Sequence, residues 1–129
     1  MEGKDRAVRA DEGFARRFRL GDNKNYRYVY RRGKSYPSRN LVLIYLKGRE
    51  QKFGFSVSSK VGNSVTRNRL RRYMKEDFRL LRPGLKSGKY IFVARVQAAQ
   101  APHKALSSEM KYLLRKADLM RPAQEASAQ

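Results

Sequence analysis

The sequence predicts a small α/β sandwich, in which helices cover a mixed β-sheet in a single domain. Segments of strand length, some continuously apolar and one strictly alternating, are separated by amphipathic segments of helix length. The 129 residues suffice for one domain with a modest core. Lys and Arg number 31 against 11 Asp and Glu, a formal net charge of +20. So strong a positive field predicts a polyanionic partner, with nucleic acid as the first candidate and an anionic membrane surface as the second.

The first helix is predicted over NKNYRYVYRRG, with Asp22 as its N-cap and Gly33 as its stop. Tyr26, Val29 and Tyr30 fall on one face, and arginines lie elsewhere on the helix. Two interpretations stay open for the aromatic face. Tyr26, Tyr28 and Tyr30 stack on bases while the arginines bind phosphates, or Tyr26, Val29 and Tyr30 pack on a sheet.

The strands are predicted from their apolar patterns. Leu41–Leu46 is continuously apolar, and residues 53–58 alternate strictly between large apolar and small residues. The small face of the second segment leaves room for either an extended nucleic acid or a packed helix. Residues 35–38 are predicted to form a turn, and residues 47–50 a hairpin connection. Residues 90–96 are apolar on both faces, as in a buried parallel strand.

The most basic stretch, residues 60–79, is predicted as a packed helix with a rigid cationic face. Its centre, RNRLRR, has four arginines in six positions, and Asn63 or Ser64 is a plausible N-cap. Arginines fixed on a helix lose less side-chain entropy on binding, and their planar forks suit phosphate oxygens. The alternative is an exposed helix face that serves solubility. The apolar stripe of this helix comprises Leu70, Tyr73, Met74, Phe78 and Leu81.

The basic helix connects strand 53–58 to strand 90–96, and the residues alone favour a right-handed crossover for this βαβ unit. A final helix opens at Pro102. Its core stripe comprises Leu106, Met110, Leu113 and Leu114. The expected boundaries are a flexible extension over residues 1–18, a domain over 19–118 and a flexible tail over 119–129.

The residues predict no protein catalytic centre. His103 is the one histidine, and the acids are scattered, so neither an imidazole-centred triad nor the carboxylate cluster of a two-metal nuclease is visible. Glu76 and Asp77 lie in the basic helix, where ion pairs are expected. Their expected partners are Arg69, Arg72 and Arg79. These observations argue against a protein-only nuclease.

The composition also bears on location. Cysteine is absent, which permits a reducing cytoplasm and excludes a disulfide framework or thiolate metal site. No apolar run approaches the ~20 residues of a spanning helix, and no secretory signal pattern occurs. A cytoplasmic protein without a membrane partner is therefore expected.

Residues 60–72, KVGNSVTRNRLRR, followed by Glu76 and Phe78, resemble the RNR signature of the bacterial ribonuclease P protein subunit. Supporting matches are Arg19 with Leu20, the aromatic helix that ends in GKS, the FSVS strand and the YIFVAR strand. The resemblance implies an α-β-β-β-α-β-α sandwich, similar to a ribosomal protein domain. It also implies a left-handed βαβ crossover, contrary to the default.

The same resemblance implies a non-catalytic subunit of an endoribonuclease, in which a large RNA removes the 5′ leader of precursor tRNA with Mg²⁺ bound mainly by the RNA. The implied partners are ribonuclease P RNA and precursor tRNA, with one protein copy in the ribonucleoprotein. The implied catalytic-RNA contacts are Lys60, Arg67, Asn68, Arg69, Arg71, Arg72 and Lys75. The implied leader contacts are Tyr26, Tyr30, Arg27, Arg39, Phe53 and Phe55. The alternative is a ribosomal-type structural RNA-binding protein.

Overall fold

The computed structural model describes residues 19–21 and 23–121. Its main elements are α1 (Asn23–Arg32), β1 (Lys34–Pro37), β2 (Leu41–Leu46), β3 (Gln51–Val57), α2 (Ser64–Leu81), β4 (Gly88–Ala94) and α3 (His103–Lys116). Two 3₁₀ turns, Arg82–Gly84 and Val96–Gln100, flank β4. This order confirms the predicted α-β-β-β-α-β-α fold. The predicted cap Asp22, the extension 1–18 and residues 122–129 of the tail lie outside the described residues.

The sheet has the strand order β1-β2-β4-β3, with β3 parallel to β4 and the other pairings antiparallel. β4 lies inside the sheet because it is apolar on both faces, and Tyr90, Ile91 and Phe92 are all fully buried. The prediction of a hairpin at residues 47–50 was therefore wrong, since β4 separates β2 from β3. The left-handed crossover of the β3-α2-β4 unit stays a prediction.

The prediction of a turn at residues 35–38 was also wrong, because most of this segment is the edge strand β1. β1 pairs with β2 through Tyr36 opposite Leu43 and Pro37 opposite Val42. An edge position tolerates the missing N–H of a proline. The reversal comes after the strand, where the Ser38 N–H donates to the Leu41 carbonyl at 2.7 Å.

The sheet separates two apolar clusters. α2 and α3 cover one face, where the predicted stripes pack against Leu41, Phe53 and Phe92. α1 covers the other face, where Val29 packs against Ile91. Both predicted helix stripes are confirmed, since their buried members are Leu70, Met74 and Phe78 in α2 and Leu106, Met110, Leu113 and Leu114 in α3.

The ends of the helices are set by local contacts. Asn63 caps α2, and its side-chain oxygen accepts from the Thr66 N–H at 2.9 Å. α1 ends at Arg32, as the following Gly33 predicts. Close packing requires a glycine at position 33, since a Cβ there would crowd the side chain of Ile44 and the carbonyl oxygens of Val29 and Tyr45.

Asp77 joins α2 to α3, contrary to the predicted pairing with arginines of its own helix. Its carboxylate contacts His103 Nε2 at 3.0 and 3.1 Å and accepts a hydrogen bond from the Ser107 hydroxyl at 2.7 Å. The His103 ring also stacks on Tyr73, with ring centroids 4.2 Å apart. Because Asp77 points toward α3, the cationic face of α2 is left free of this carboxylate.

The packed chain extends beyond the expected boundary at residue 118. Leu119 is buried at 3% exposure, its carbonyl accepts from the Lys86 N–H, and Met120 bridges to Leu85. The Arg121 N–H donates to the Gly84 carbonyl at 2.8 Å. Within the described part of the chain, no helix combines the length and the apolar character that crossing a membrane requires.

Candidate nucleic-acid interface

A cleft runs along the outer edge of β3, between α1 on one face of the sheet and α2 on the other. Arg19 and Leu20 cover the first part of this edge, where the Leu20 N–H donates to the Phe53 carbonyl at 2.8 Å. At the far end of the strand, Arg71 Nη2 lies 3.4 Å from the Val57 carbonyl oxygen. Both ends of the edge are thus covered against pairing with another strand.

We call this feature the edge cleft. It consists of two adjoining depressions of ≈ 480 and ≈ 530 Å³ that share Tyr26, Phe55 and Arg71. Volumes of this size are typical of ligand-binding clefts. The first depression also includes Arg19, Phe53, Gly54, Asn68, Arg72, Lys75, Glu76 and Arg79. The second also includes Asn23, Arg27, Tyr30, Ser56 and Val57.

The α1 wall of the edge cleft is aromatic. Tyr26 and Tyr30, one helical turn apart, have ring centroids at 6.4 Å. Tyr30 is 41% exposed, whereas Tyr26 is half-buried. Burial, assisted by the neighbouring Tyr30, raises the pKa of Tyr26 above its usual value. Of the two interpretations of the aromatic face, packing on the sheet therefore holds for Tyr26, whereas Tyr30 stays accessible and base stacking by it remains a prediction.

Gly54 determines how closely α1 approaches β3. The Tyr26 ring lies directly over Gly54, where a Cβ would overlap the phenol oxygen and ring carbons. The Tyr26 hydroxyl also forms a hydrogen bond with the backbone of Phe55. The small residues of β3 thus accommodate a helix side chain at Gly54, one of the two uses that the sequence left open.

The α2 wall is cationic, with Arg71 at its centre. Arg71 Nη1 donates to Asn68 Oδ1 at 3.0 Å, and its other terminal nitrogen faces Val57. These contacts hold the guanidinium where the two depressions meet, which restricts its conformations before any ligand binds. Glu76 is the only carboxylate among the described residues that line the edge cleft. The cations lining it are Arg19, Arg27, Arg71, Arg72, Lys75 and Arg79.

Three of the basic residues implied for catalytic-RNA binding lie outside the edge cleft. Arg67 Nε donates to the Gly62 carbonyl at 3.1 Å, and Arg69 Nη2 donates to the Ala99 carbonyl at 3.0 Å. These two arginines brace the start of α2. Lys60 is exposed in the turn before the helix.

The remaining leader-contact residues are also dispersed. Phe53 is only 2% exposed and packs on Phe78 with ring centroids 5.0 Å apart, so it forms the floor of the cleft and part of the core. Phe55 is half-buried where the depressions meet. Arg39 lines a separate depression beside Glu109, at the turn between β1 and β2.

Sequence reasoning missed several residues that line the edge cleft. Helical spacing places Arg79 on the cationic face of α2, one turn after Lys75, but the sequence gave it only an ion-pairing role and no place in a binding site. Gly54 was noted only as part of the small face of strand 53–58, and the side chain that covers it could not be named from the sequence. Arg19 gave no such signal, because its position depends on the pairing of residues 19 and 20 with β3.

The fold and the edge cleft define a small basic α/β protein whose cleft has an exposed aromatic ring on one wall and fixed cations on the other. Comparisons with known proteins agree with this class. The family model described as Ribonuclease P matches residues 14–118. A ribonuclease P protein component of Clostridium botulinum (strain Loch Maree / Type A3) is 45% identical over 105 residues, covering 78% of this chain and 95% of the relative.

Solved structures show the same fold. A Staphylococcus aureus RNase P protein mutant with defective mRNA degradation activity aligns with a TM-score of 0.78 at 24% identity, covering 83% of this chain and 93% of that one. Another S. aureus RNase P protein structure aligns with a TM-score of 0.72 at 25% identity, covering 80% and 91%.

The chain belongs to the ribonuclease P protein family. It is therefore a protein component of the ribonuclease P holoenzyme, acts in the maturation of tRNA 5′ ends, and has ribonuclease P RNA as its partner.

Proposed function

We propose that the edge cleft binds the single-stranded 5′ leader of precursor tRNA, while the exposed cations of α2 bind the catalytic RNA. The observation that carries this proposal is the pairing of an exposed ring on one wall, Tyr30, with fixed cations on the other, centred on Arg71. A single strand offers both an unstacked base and a charged backbone, so it can use both walls at once.

The α2 helix divides its cations between two tasks. Arg72 is exposed and Lys75 lies one turn along the same wall, so both can neutralise phosphates. Arg67 and Arg69 bond to backbone carbonyls and hold the start of α2 in place. The other proposed catalytic-RNA contacts are Lys60, Asn68 and Arg71, and Arg71 is shared with the leader because it lies where the two depressions meet. Asn68 acts partly by orienting Arg71.

The leader contacts follow from the positions of the side chains. Tyr30 stacks on a base, Arg27 binds a phosphate, and Phe55 contributes apolar surface where the depressions meet. Tyr26 and Phe53 form the floor and sides that hold these groups. Arg39 lies in the separate depression at the β1–β2 turn, so any leader contact that it makes lies beyond the edge cleft.

The chemistry is assigned to the RNA partner. Magnesium prefers clustered carboxylate and carbonyl oxygens, and the edge cleft combines six cations with the single carboxylate Glu76 among the described residues. This donor set does not suit Mg²⁺. We therefore place the required Mg²⁺ mainly on the RNA, and the protein assists by reducing repulsion between RNA strands. The functional unit has one protein copy, a domain built around residues 19–118, and a cytoplasmic location.

The test compares precursor and mature tRNA as ligands of the reconstituted holoenzyme. Tyr30→Ala is expected to weaken precursor binding by about 1–3 kcal/mol through lost stacking, and to leave mature tRNA binding unchanged. Tyr112→Ala is a matched control, because Tyr112 is 49% exposed but lies on α3. An equal loss for both tRNAs, or no loss for either, would exclude leader binding by this ring.

A further inference from the structure

A second basic and aromatic surface lies on the other side of α1 from the edge cleft. Tyr28 is 43% exposed and projects away from the Tyr26–Tyr30 face, as its spacing of two residues requires. It borders a depression of ≈ 470 Å³ between α1 and the β2–β3 connection. We call this the Tyr28 surface; its charged members are Lys47, Arg49, Glu50, Lys52 and Lys89.

Two cations approach the Tyr28 ring. Lys89 Nζ, from β4, lies 5.4 Å from the ring centroid, and the Arg31 guanidinium carbon lies 6.0 Å from it. Lys89 comes from the sheet, so tertiary structure fixes this arrangement. A base that stacks on Tyr28 would lie beside cations able to bind its phosphate.

Two lysines of this surface, Lys52 and Lys89, lie side by side although their positive charges repel each other. Lys52 and Lys89 are register partners on the parallel strands β3 and β4, so their side chains project side by side from the face that α1 covers. Like charges directly across a strand pair are unfavourable. The carboxylate of Glu50, 3.6 Å from Lys52, offsets part of this repulsion. Four sheet and loop cations thus face one carboxylate, which favours an anionic ligand.

We propose that the Tyr28 surface binds a second single-stranded RNA segment, separate from the strand in the edge cleft. An exposed aromatic ring beside cations suits an unstacked base with its phosphates better than a regular duplex, whose bases are already stacked. The strand comes either from the catalytic RNA or from the precursor tRNA. The proposal shares with the leader proposal only the assumption that the holoenzyme contains RNA.

Cross-linking from two positions on one helix tests this directly. p-Benzoylphenylalanine is placed at position 28 or at position 30 in the full protein, and the holoenzyme with precursor tRNA is irradiated. We expect position 28 to cross-link to nucleotides distinct from those reached by position 30, and mapping identifies the RNA that supplies them. No cross-link from position 28, or the same nucleotides from both positions, would overturn the second-strand proposal. Cross-linking from position 28 without position 30 would instead count against the leader proposal alone.

Salt dependence supplies a second readout. If Lys47 and Arg49 each bind a phosphate, the double variant Lys47→Gln/Arg49→Gln should lower the slope of log affinity against log salt by about 1.4 for a single strand. The control Lys104→Gln/Lys111→Gln removes the same charge from exposed positions of α3. An equal fall in both variants would indicate a general charge effect and would overturn the proposal.

If Tyr28 stacks on a base, removing its ring should weaken RNA binding. Tyr28→Ala should weaken binding of the RNA that position 28 cross-links by roughly 5- to 150-fold, whereas Tyr112→Ala should not. Tyr112 is a close match, since it is similarly exposed and has Lys116 Nζ 5.8 Å from its ring. Equal effects of the two variants would contradict the proposal.

Discussion

Gly54→Ala should destabilise the protein because of one side chain, Tyr26. The added methyl group would overlap the Tyr26 hydroxyl and two of its ring carbons. An aromatic ring cannot yield by bending, so the ring must leave its position or α1 must move away from β3. Either movement breaks the hydrogen bond between the Tyr26 hydroxyl and the backbone of Phe55.

The expected cost has two parts. Overpacking a fitted site costs typically about 1–3 kcal/mol, and the lost hydrogen bond adds about 1 kcal/mol. Replacing a glycine by alanine also returns about 0.4–1 kcal/mol, because it restricts the unfolded chain. We therefore expect a net loss of about 1–3 kcal/mol in the free energy of unfolding, measured by urea denaturation at constant m-value.

A double-mutant cycle assigns the loss to the contact. Tyr26→Ala removes the ring, so Gly54→Ala in that background should cost at most a few tenths of a kcal/mol. The control Gly84→Ala adds a methyl group where no atom lies within 4 Å, and its effect should stay within about 0.5 kcal/mol. If Gly54→Ala costs as much without Tyr26 as with it, the ring does not set the approach of α1 to β3.

Three other experiments test separate parts of the structure. Asp77→Ala should lower the free energy of unfolding by about 2–3 kcal/mol, since it removes the carboxylate that bonds His103 and Ser107. Glu76 is exposed, so the control Glu76→Ala should change the free energy of unfolding by less than about 0.5 kcal/mol in the same urea assay. Arg72→Gln should reduce the slope of log affinity for the catalytic RNA against log salt by about one unit, with the free energy of unfolding unchanged. Arg69→Gln should instead reduce the free energy of unfolding by about 1 kcal/mol, because its hydrogen bond to the Ala99 carbonyl is lost. The reverse pattern would contradict the division of tasks on α2. Stability should fall as pH rises above about 10, because burial raises the pKa of Tyr90 in the folded state and the unfolded chain ionises first. Tyr90→Phe should flatten that alkaline decline, and an unchanged decline would exclude Tyr90 as its source.

The sequence predicted best what depends on local spacing. The cap of α2, expected at Asn63 or Ser64, and its apolar stripe follow from residues within one helix; the structure confirms the stripe and shows Asn63 as the cap. Predictions failed where distant residues decide. β1 is a strand only because β2 pairs with it, and the connection at 47–50 is no hairpin because β4 lies between its strands.

The same distinction applies to the candidate site. The cationic face of α2 could be predicted from helical spacing. The partner of Asp77 could not, because His103 and Ser107 lie 26 and 30 residues further along the chain. Nor could spacing show that Tyr26 packs over Gly54, since that depends on where α1 lies on the sheet.

Reconstitution with a bacterial ribonuclease P RNA at low Mg²⁺ measures the proposed assistance most directly. Precursor tRNA cleavage is followed for the RNA alone, the protein alone and the two together, with Arg71→Ala/Arg72→Ala as a folded variant of the cationic wall. We expect correct 5′ cleavage only when RNA and protein are combined, with a higher Mg²⁺ requirement for the variant. Cleavage by the protein alone, or no rescue by folded protein with its cognate RNA, would contradict an RNA-assisting role.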